Sequence, residues 1–300
     1  IIAIKNLFNA WQEFLRSKRK RNDTILFQLK LVNNVFDLQY DLINKLYQHG
    51  PYDSFNISDP KPRIIHKASV RDRLLHHLLY QELYPYFDKK FIHDSYSCRL
   101  TKGTHKAIYR FEKLSRIVSQ NNSRTCWVLK CDIRKFFASI DHQLLKTIVA
   151  QYIEDPDILW LLAQVIDSFH TKNQIGVGLP LGNLTSQLFV NVYMNEFDQF
   201  VKRELKVRHY IRYADDFLFI NHNREYLLKI IPIITNFLEN NLKLSIHKDK
   251  LSVNSLASGI DFLGWVHFPY HRILRTTTKH RMFKKIYSRL EESTIISYLG

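Results

Sequence analysis

The sequence predicts a mixed α+β fold with a largely antiparallel central sheet. Apolar residues recur at helical spacing through the first 120 residues, and short β-rich runs lie close together beyond residue 124 with helical segments between them. Strands that lie close in sequence pair most readily as antiparallel neighbours. With 300 residues, 45% of them apolar, the chain is long enough for one large domain or for two to three closely packed subdomains.

The first part of the chain is predicted to be mostly helical. Helices are expected over residues 1–20, 24–48, 69–86 and 104–120, and two short strands joined by a turn over 52–66. Gly50-Pro51 follows the second helix, and Pro85 is expected to stop the third, because proline lacks the backbone N–H that continues a helix.

The second part of the chain is predicted to alternate strands with helices. Strands are expected over 125–133, 207–213, 217–220, 243–253 and 259–268, and helices over 142–152, 157–169, 184–205, 224–241 and 277–292. A glycine-rich turn at 176–182 precedes the longest of these helices. The last helix combines an apolar stripe with a basic face.

Composition narrows the class of function. There are 44 Lys and Arg against 28 Asp and Glu, a net charge of +16, which is typical of a nucleic-acid binder, although acidic proteins and membrane surfaces also attract such chains. Three cysteines and no Cys-x-x-Cys argue against a disulfide framework and suit a reducing cytosol. The 14 scattered histidines do not indicate a zinc site.

Targeting signals are not evident in the sequence. No apolar run is long enough to span a bilayer, and the N-terminus lacks a secretory pattern, so we expect a cytoplasmic protein without a membrane association. The chain begins at Ile1 and stops at Gly300 just after a helical stretch, which suggests a sequence trimmed at one or both ends.

Two adjacent acids, Asp215 and Asp216, lie at the joint of two short apolar strands. Two like charges at a tight turn repel each other, and a divalent cation would resolve that repulsion. Asp132, at the end of another predicted strand, is placed to supply a third carboxylate. The three acids could bind two Mg²⁺ ions, which Mn²⁺ could replace, as in enzymes that transfer nucleotides. The alternative for so short a motif is an ordinary solvated turn.

The order of these segments resembles the palm of a reverse transcriptase. Lys130-Cys-Asp132-Ile-Arg-Lys-Phe-Phe137 resembles the first catalytic block of that family, and Tyr213-Ala-Asp-Asp216 resembles the block that carries the paired acids. The resemblance implies that Asp132, Asp215 and Asp216 are catalytic metal ligands, and that Tyr213 contacts substrate. It also implies that Phe137 is a steric gate against the 2′-hydroxyl. The alternative for Phe137 is a core residue beside Phe136.

Gly178-Leu-Pro-Leu-Gly-Asn-Leu-Thr-Ser-Gln187 resembles a second block, which backs the incoming nucleotide and the template base. The resemblance makes Pro180, Leu181, Gly182 and Gln187 substrate-binding residues. Many reverse transcriptases carry Pro-Gln-Gly where this chain has Pro180-Leu181-Gly182. The sequence from Gly182 to Gln187 is similar to that of diversity-generating retroelement reverse transcriptases, which copy a template RNA with errors at adenines. Because Leu181 cannot hydrogen-bond as glutamine can, looser geometry and infidelity are a plausible consequence.

Three basic residues are assigned to the substrate by the same resemblance. Arg63 is the leading candidate to clamp the triphosphate, and Arg99 either contacts the template or supports the fingers. Leu244 to Lys250 resembles the block with a lysine near the triphosphate, for which Lys250 is favoured over Lys248. Residues 259–265 resemble the primer-grip hairpin, and the basic helix after it would be the start of a thumb.

The resemblance implies a right-hand polymerase with four parts. These are an N-terminal helical extension (1–23), fingers (24–123), a palm (124–268, with fingers-side helices at about 142–178) and the start of a thumb (269–300). The implied activity is RNA-directed DNA polymerase, a nucleotidyltransferase, on a template RNA with a primer and deoxynucleoside triphosphates. Membership of the diversity-generating class would add a small basic accessory oligomer as partner, and a bacterial or viral source.

Two sets of alternatives stay open. Within the same class, the chain could be a retron, group II intron-type or antiphage-defence reverse transcriptase. From another class, it could be a catalytically silent scaffold that binds RNA.

Overall fold

The computed structural model describes residues 1–16, 18–58, 62–172 and 174–288. Two compact units are formed by non-contiguous stretches of chain. The first unit comprises residues 1–91, 135–198 and 242–244, and the second comprises 92–134, 199–241 and 245–300. The described helices include none that is long and apolar enough to cross a membrane.

The first unit is mainly helical. Its helices are α1 (Ile4–Leu15), α2 (Asn22–Leu29), α3 (Leu31–Ile43), α4 (Val70–Asp88), α6 (His142–Ala150), α7 (Pro156–Ile166) and α8 (Leu184–Gln199). Side-chain caps determine where several of them begin: Ser69 accepts a hydrogen bond from the Asp72 N–H, and Asp155 accepts from two N–H groups of α7. Apolar side chains of α1, α3 and α4, such as Trp11, Leu38 and Leu78, are fully buried.

A two-stranded antiparallel sheet also belongs to the first unit. It consists of β1 (Asp53–Ile57) and β2 (Arg63–Lys67), in a register that pairs Phe55 with Ile65. Strand β2 is also held by the segment that precedes α8, because the His66 N–H donates to the Leu181 carbonyl at 2.9 Å. A short 3-10 turn (Phe136–Ser139) precedes α6.

The second unit contains a four-stranded antiparallel sheet in the order β4-β5-β3-β6. Its strands are β3 (Trp127–Asp132), β4 (Tyr210–Tyr213), β5 (Asp216–Asn221) and β6 (Ser252–Ser255). Helix α5 (Thr104–Val118) packs on one face of the sheet, where Phe111 joins Val128, Ile211 and Leu218 in a buried cluster. The central strand β3 is therefore held by pairing on both edges and by apolar packing on its face.

A second antiparallel sheet follows in the same unit. It contains β7 (Ile260–Phe262), β8 (Trp265–His267) and β9 (Arg272–Leu274) in sequential order. Helix α9 (Arg224–Leu242) precedes these strands, and α10 (Thr276–Ser288) follows them. The three cysteines are free: Cys98 is exposed, whereas Cys126 and Cys131 are buried.

The predicted mixed α+β class with antiparallel sheets is confirmed, but several predicted boundaries are wrong and one strand was not predicted. The helix expected over 24–48 breaks at Lys30, and α4 continues through Pro85 to Asp88. Pro85 has no N–H to donate to the carbonyl of residue 81, and the helix continues beyond it for only three residues. The strand expected over 243–253 is only Ser252–Ser255, and β9 was not predicted at all. The predicted helix 277–292 is helical to Ser288, and residues 289–292 lie outside the described residues.

Candidate active site

Two of the predicted carboxylates lie directly opposite each other in the sheet of the second unit. Asp132 is the last residue of β3 and Asp216 is the first residue of β5, and the antiparallel register pairs them. Asp215 is next to Asp216 in the β4–β5 turn, and its backbone carbonyl accepts a hydrogen bond from the Ile133 N–H at 3.1 Å. The sheet register therefore brings two acids together at the ends of adjoining strands, although they are 84 positions apart in the sequence.

The carboxyl group of Asp216 is largely buried. Its side chain is 20% exposed, and its Oδ2 atom lies 3.7 Å from the Lys130 Nζ atom. Its Oδ1 atom is buried without a hydrogen-bond partner among the described residues. Burial raises the pKa of Asp216 to about 7; the carboxylates of Asp132 and Asp215 add to that rise and the Lys130 ammonium opposes it.

Asp132 is paired with a lysine from the segment before β6. The Lys250 ammonium donates to Asp132 Oδ1 at 2.6 Å, and the His247 N–H donates to the Asp132 backbone carbonyl at 2.8 Å. Of the two lysines considered from the sequence, Lys250 thus contacts a carboxylate of the cluster. Lys248 is exposed in the same short 3-10 turn.

The β4–β5 turn depends on a buried arginine. Ala214 adopts φ +56°, a left-handed conformation that non-glycine residues rarely take. The fully buried Arg212 guanidinium donates to the Ala214 carbonyl and to Ser95 Oγ, both at 3.1 Å. On the other strand face, the Tyr213 hydroxyl is 3.1 Å from Thr104 Oγ1. These bonds hold the backbone that carries Asp215 and Asp216.

The carboxylates do not form a ready-made metal cage. Within the described ranges, no group of three or more His, Cys, Asp or Glu side chains is arranged to hold a metal ion. Lys250 and Lys130 supply the positive charge beside Asp132 and Asp216. Hard divalent cations prefer carboxylate oxygens, and the unpartnered Oδ1 atom of Asp216 is such a donor, so these residues fit Mg²⁺ by chemistry. The assignment of all three acids as ligands stays a prediction.

The predicted nucleotide-backing residues lie in the first unit, where hydrogen bonds tie them to the Phe137 turn. The Leu179 N–H donates to the Phe137 carbonyl and the Gly178 N–H to the Ile140 carbonyl, both at 2.8 Å. Phe136 is buried, whereas Phe137 is half-buried, with the two rings 5.6 Å apart. The packed member of the pair is therefore Phe136, which leaves Phe137 available for contact with a sugar.

The turn from Pro180 to Gly182 lies against β2. Gly182 has φ +104°, and a Cβ atom at that position would come within 2.8 Å of the Ile65 side chain, so a larger residue would not fit without a shift. Leu181 is half-buried, with its carbonyl bonded to the His66 N–H, and Gln187 is half-buried on the first turn of α8. Pro180 is buried.

The two predicted arginines differ in their surroundings. Arg63, the first residue of β2, is exposed. Arg99, in the second unit, donates to the backbone carbonyls of Ile92 (2.7 Å) and Ser95 (3.0 Å), which suits the supporting role among its two predicted roles. Ser95 also binds Arg212, so Arg99 and Arg212 stabilise the same short segment.

Sequence reasoning missed three residues around the carboxylates. Lys130 lies two residues before Asp132 and Arg212 lies three before Asp215, but neither was assigned a role. Alternation along a strand could have placed Lys130 on the same face as Asp132. Asp261, whose carbonyl accepts from Lys130, was also missed, and no local signal pointed to it.

A basic cavity in the first unit was missed as well. It has a volume of about 360 Å³ and is lined by Gly182, Asn183 and Gln187 together with cationic side chains of the α1–α2 connection, of β2 and of α4. The cationic residues are Lys18, Arg21, Lys67 and Arg73. Cations concentrated beside the N-terminus of a helix favour phosphate groups.

The antiparallel sheet pairs two acids at the ends of adjoining strands, and the turn beside them carries a third. This is the palm arrangement of a right-hand nucleic-acid polymerase. Comparison with known protein families agrees. Residues 56–267 match the family described as reverse transcriptase (RNA-dependent DNA polymerase). That match spans more than half of the chain, so the chain belongs to the reverse transcriptase family.

Curated relatives include Protein YkfC of Escherichia coli K12. It is 27% identical over 297 residues, with 86% of this chain and 76% of the relative covered. An uncharacterized 91 kDa protein in the cob intron of Schizosaccharomyces pombe is 25% identical, with 55% of this chain and 21% of the relative covered. A putative COX1/OXI3 intron 2 protein of Saccharomyces cerevisiae is 20% identical, with coverages of 75% and 32%.

Solved structures of telomerase from Candida tropicalis share the fold. The apo form truncated from its C-terminal domain aligns with a TM-score of 0.56 at 14% identity, over 80% of this chain and 59% of that one. A complex with a fragment of telomeric RNA aligns with the same TM-score at 13% identity, over 85% and 52%. The chain thus spans between half and three-fifths of these structures, and the predicted right-hand polymerase fold is confirmed.

Proposed function

We propose that this chain is the polymerase part of an RNA-directed DNA polymerase, with Asp132, Asp215 and Asp216 as its catalytic carboxylates. The observation that carries the proposal is the register of β3 with β5, which places Asp132 opposite Asp216 beside a buried carboxylate oxygen without a partner. Burying a carboxylate oxygen without a partner costs free energy, and such a cost is found where the group binds a ligand when the site is loaded.

The remaining predicted residues are assigned roles in this reaction. Arg212 and the left-handed Ala214 orient the turn that carries the acids. The Phe137 carbonyl accepts from the Leu179 N–H, directly before the Pro180–Gly182 turn, and we assign Phe137 and this turn to the sugar and base of the incoming nucleotide. Arg63 and Lys250 are assigned to the triphosphate, because it requires cations that can reach it.

Divalent metal is part of the proposal. Asp132, Asp215 and Asp216 would hold Mg²⁺, which promotes attack of the primer 3′-hydroxyl on the α-phosphate and stabilises the leaving pyrophosphate. Lys250 and Lys130 lie beside Asp132 and Asp216 and balance part of the negative charge of these acids. Lys250 would also bind the anionic triphosphate.

Primer extension on an RNA template tests this function. Asp132→Asn, Asp215→Asn and Asp216→Asn should each abolish extension while RNA binding is retained. Asp249→Asn is the matched control, because Asp249 is adjacent to Lys250 but its side chain is 92% exposed. Full RNA binding by a wild-type chain that extends no primer, even with accessory proteins added, would instead support a silent RNA-binding scaffold.

The subfamily is a further part of the proposal. Leu181, which replaces a glutamine common in the family, favours an error-prone enzyme of a diversity-generating retroelement, with a template RNA and a basic accessory oligomer. The relatives named for the cob intron and for COX1/OXI3 intron 2 favour an intron-type enzyme.

Sequencing of cDNA made from co-purified RNA distinguishes a diversity-generating enzyme from an intron-type enzyme. Substitutions concentrated at template adenines, reduced in Leu181→Gln, support the diversity-generating reading. Faithful copies of an intron sequence support the intron reading, and unchanged adenine errors in Leu181→Gln would exclude a role for that residue.

A further inference from the structure

A groove runs along helix α5 in the second unit. It consists of three adjoining cavities of about 530, 270 and 510 Å³, and all of their lining residues belong to that unit. Each cavity shares three lining residues with the next: Tyr109, Glu112 and Arg116, then Asn122, Leu256 and Pro269. We call these three cavities together the α5 groove.

The α5 groove is separate from the catalytic carboxylates. Its third cavity is lined by Cys126 and Trp127, at the start of β3, whereas Asp132 is the last residue of that strand. The rise of a strand, about 3.3 Å per residue, places Trp127 and Asp132 roughly 17 Å apart. None of the lining residues is among those assigned above to the metal or to the incoming nucleotide. A ligand of the groove is therefore a different one.

The second cavity has a polar floor. Ser115 and His267 line it and are 3% and 1% exposed. The Ser115 Oγ atom and both ring nitrogens of His267 make no hydrogen bond to the described residues. Burial lowers the pKa of His267 to about 4, although the Glu112 carboxylate opposes the shift, so the ring is uncharged at neutral pH. Buried polar atoms normally have partners, and these atoms lack them until a ligand binds.

The floor determines which ligand chemistry fits. A neutral imidazole offers one donor and one acceptor, and a hydroxyl offers both. The edge of a nucleobase carries donors and acceptors side by side and matches such a floor. At about 270 Å³, the cavity is smaller than the roughly 300–1,000 Å³ of pockets for drug-sized molecules, which suits a single flat ring system.

Aromatic side chains form the exposed edge of the same cavity. Tyr109 and Tyr270 are 58% and 81% exposed. The Arg272 guanidinium lies over the Tyr109 ring, 5.1 Å from its centroid. Phe268 and His271 stack on each other at 4.9 Å in the β8–β9 turn. Exposed rings next to cations are surfaces on which the bases of a single strand stack.

The β8–β9 turn is fixed against the end of α5. The Asn122 side-chain amide donates to the Pro269 carbonyl at 2.9 Å, and the Phe268 N–H donates to the His271 carbonyl at 2.8 Å. Asn122 is held in turn by Ser119, whose Oγ atom accepts from the Asn122 N–H at 2.9 Å. The turn that carries Tyr270 is therefore already in place, which reduces the entropy lost when a ligand binds.

The charge of the α5 groove favours a phosphate backbone. Among the described residues that line it, Glu112 is the one acid, and it is ion-paired with Arg272 at 2.7 Å. Three exposed cations add to the positive charge: Lys113, Arg116 and Arg124. Cations along a groove that also carries stacking rings are the combination with which proteins bind single-stranded nucleic acid.

An unpaired strand is needed, because a base in a duplex hides the edge that the floor would contact. The product DNA of an RNA-directed polymerase is paired with its template, so the unpaired strand in the complex is RNA; this step rests on the function proposed above. We propose that the α5 groove binds an unpaired segment of the template RNA. One base enters the cavity floored by Ser115 and His267, and the neighbouring phosphates lie along α5.

Fluorescence anisotropy with RNA–DNA hybrids tests the proposal. One hybrid is blunt, and the others carry a single-stranded uridine extension of the RNA at its 5′ or 3′ end. The wild-type chain should bind an extended hybrid about tenfold more tightly than the blunt one. Tyr109→Ala and Tyr270→Ala should each weaken binding of the extended hybrid about fivefold and leave the blunt hybrid unchanged. Tyr40→Ala is the matched control, because Tyr40 is 62% exposed in the first unit.

Arg116→Ala tests the backbone contact. It should weaken binding of the extended hybrid and reduce the slope of log affinity against log salt by about one. Lys229→Ala is the matched control, because Lys229 is exposed on α9 in the same unit but lies outside the groove.

Ser115→Ala distinguishes a binding role from a structural one. The hydroxyl has no partner in the folded chain, so its removal should leave stability to urea unchanged or raised. Binding of the extended hybrid should nevertheless weaken about threefold, because the base loses a hydrogen bond. A variant that loses stability and binds the extended hybrid like wild type contradicts the role given to the floor.

Photocrosslinking locates the strand. A 4-thiouridine in the extension should label Tyr109 or Tyr270. Labelling confined to residues outside the groove, or wild-type binding of the extended hybrids by both tyrosine variants, overturns the proposal. A DNA extension of the same sequence that binds as tightly overturns RNA as the specific occupant. A wild-type chain that extends no primer but crosslinks through the groove would refute the polymerase function and still support this RNA site.

Discussion

Replacing Asp216 by asparagine should stabilise the metal-free protein while it abolishes polymerisation. The amide keeps the size of the carboxylate on β5 but carries no charge. In the wild-type chain, burial holds the pKa of Asp216 at about 7, against 3.8 for an unperturbed aspartate. The folded protein therefore binds a proton that the unfolded chain has already released, and ionisation of this group opposes folding.

The size and direction of the effect follow from those two pKa values. Each pH unit between 3.8 and 7 costs the wild-type protein about 1.4 kcal/mol of unfolding free energy, and the cost is constant above pH 7. At pH 8 the total is at most about 4 kcal/mol, and partial exposure of the side chain reduces it. Between pH 5 and pH 8, wild type should lose up to about 3 kcal/mol relative to Asp216→Asn.

Urea unfolding with a chelator present, at pH 5 and pH 8, measures this difference. Histidines with lowered pKa values, such as His77 at about 4, contribute a rise in stability with pH, but they contribute equally to both proteins and cancel in the comparison. Mg²⁺ in place of the chelator should stabilise wild type more than the variant. If Asp216→Asn is no more stable than wild type at pH 8, or if the difference does not change with pH, the account of this site is wrong.

Three further substitutions test other parts of the site. Phe137→Ala should reduce the preference for deoxynucleotides over ribonucleotides at least tenfold in kcat/KM, and unchanged selectivity would exclude the gate. Lys250→Ala removes the cation beside Asp132 and should raise KM for the nucleotide about tenfold in steady-state assays; a change confined to stability would exclude triphosphate binding. Arg212→Met leaves the Ala214 carbonyl without its buried donor, so chemical denaturation should show a loss of about 2–4 kcal/mol, and a neutral effect would contradict the role given to that guanidinium.

Local sequence signals predicted β3, β4 and β5 but misplaced β6, because only the first three strands have clear apolar runs with polar ends. β3 ends at Asp132, as the run from Thr125 to Ile133 predicted, and the β4–β5 turn lies where two adjacent acids interrupt two apolar segments. The family resemblance supplied the order of these elements.

Features that depend on tertiary contacts were not accessible from the sequence. Nothing local indicates that helix α4 continues past Pro85, and the three residues of β9 form a strand only because β8 provides an edge. The Lys250–Asp132 ion pair joins residues 118 positions apart, so the sequence alone could suggest Lys250 but not its partner.

The break at Lys30 has a similar origin. Apolar residues on both sides of it continue the helical pattern of 24–48, and the sequence contains no proline or glycine there. Tertiary packing determines where α2 ends and α3 begins. Periodicity also identifies apolar positions without showing which of them the fold covers: Leu29 continues the apolar pattern but is exposed.

Cys131 is a buried thiol whose modification reports opening of the palm sheet. Its thiol is fully buried in β3, next to Asp132, and burial raises its pKa well above the usual range, so it is inert while the sheet is closed. Cys98 is exposed in the same unit and reacts from the folded state. The rate at which Cys131 is modified therefore measures how often β3, the strand that carries Asp132, separates from its neighbours, and Cys98 gives the reference rate for the folded state.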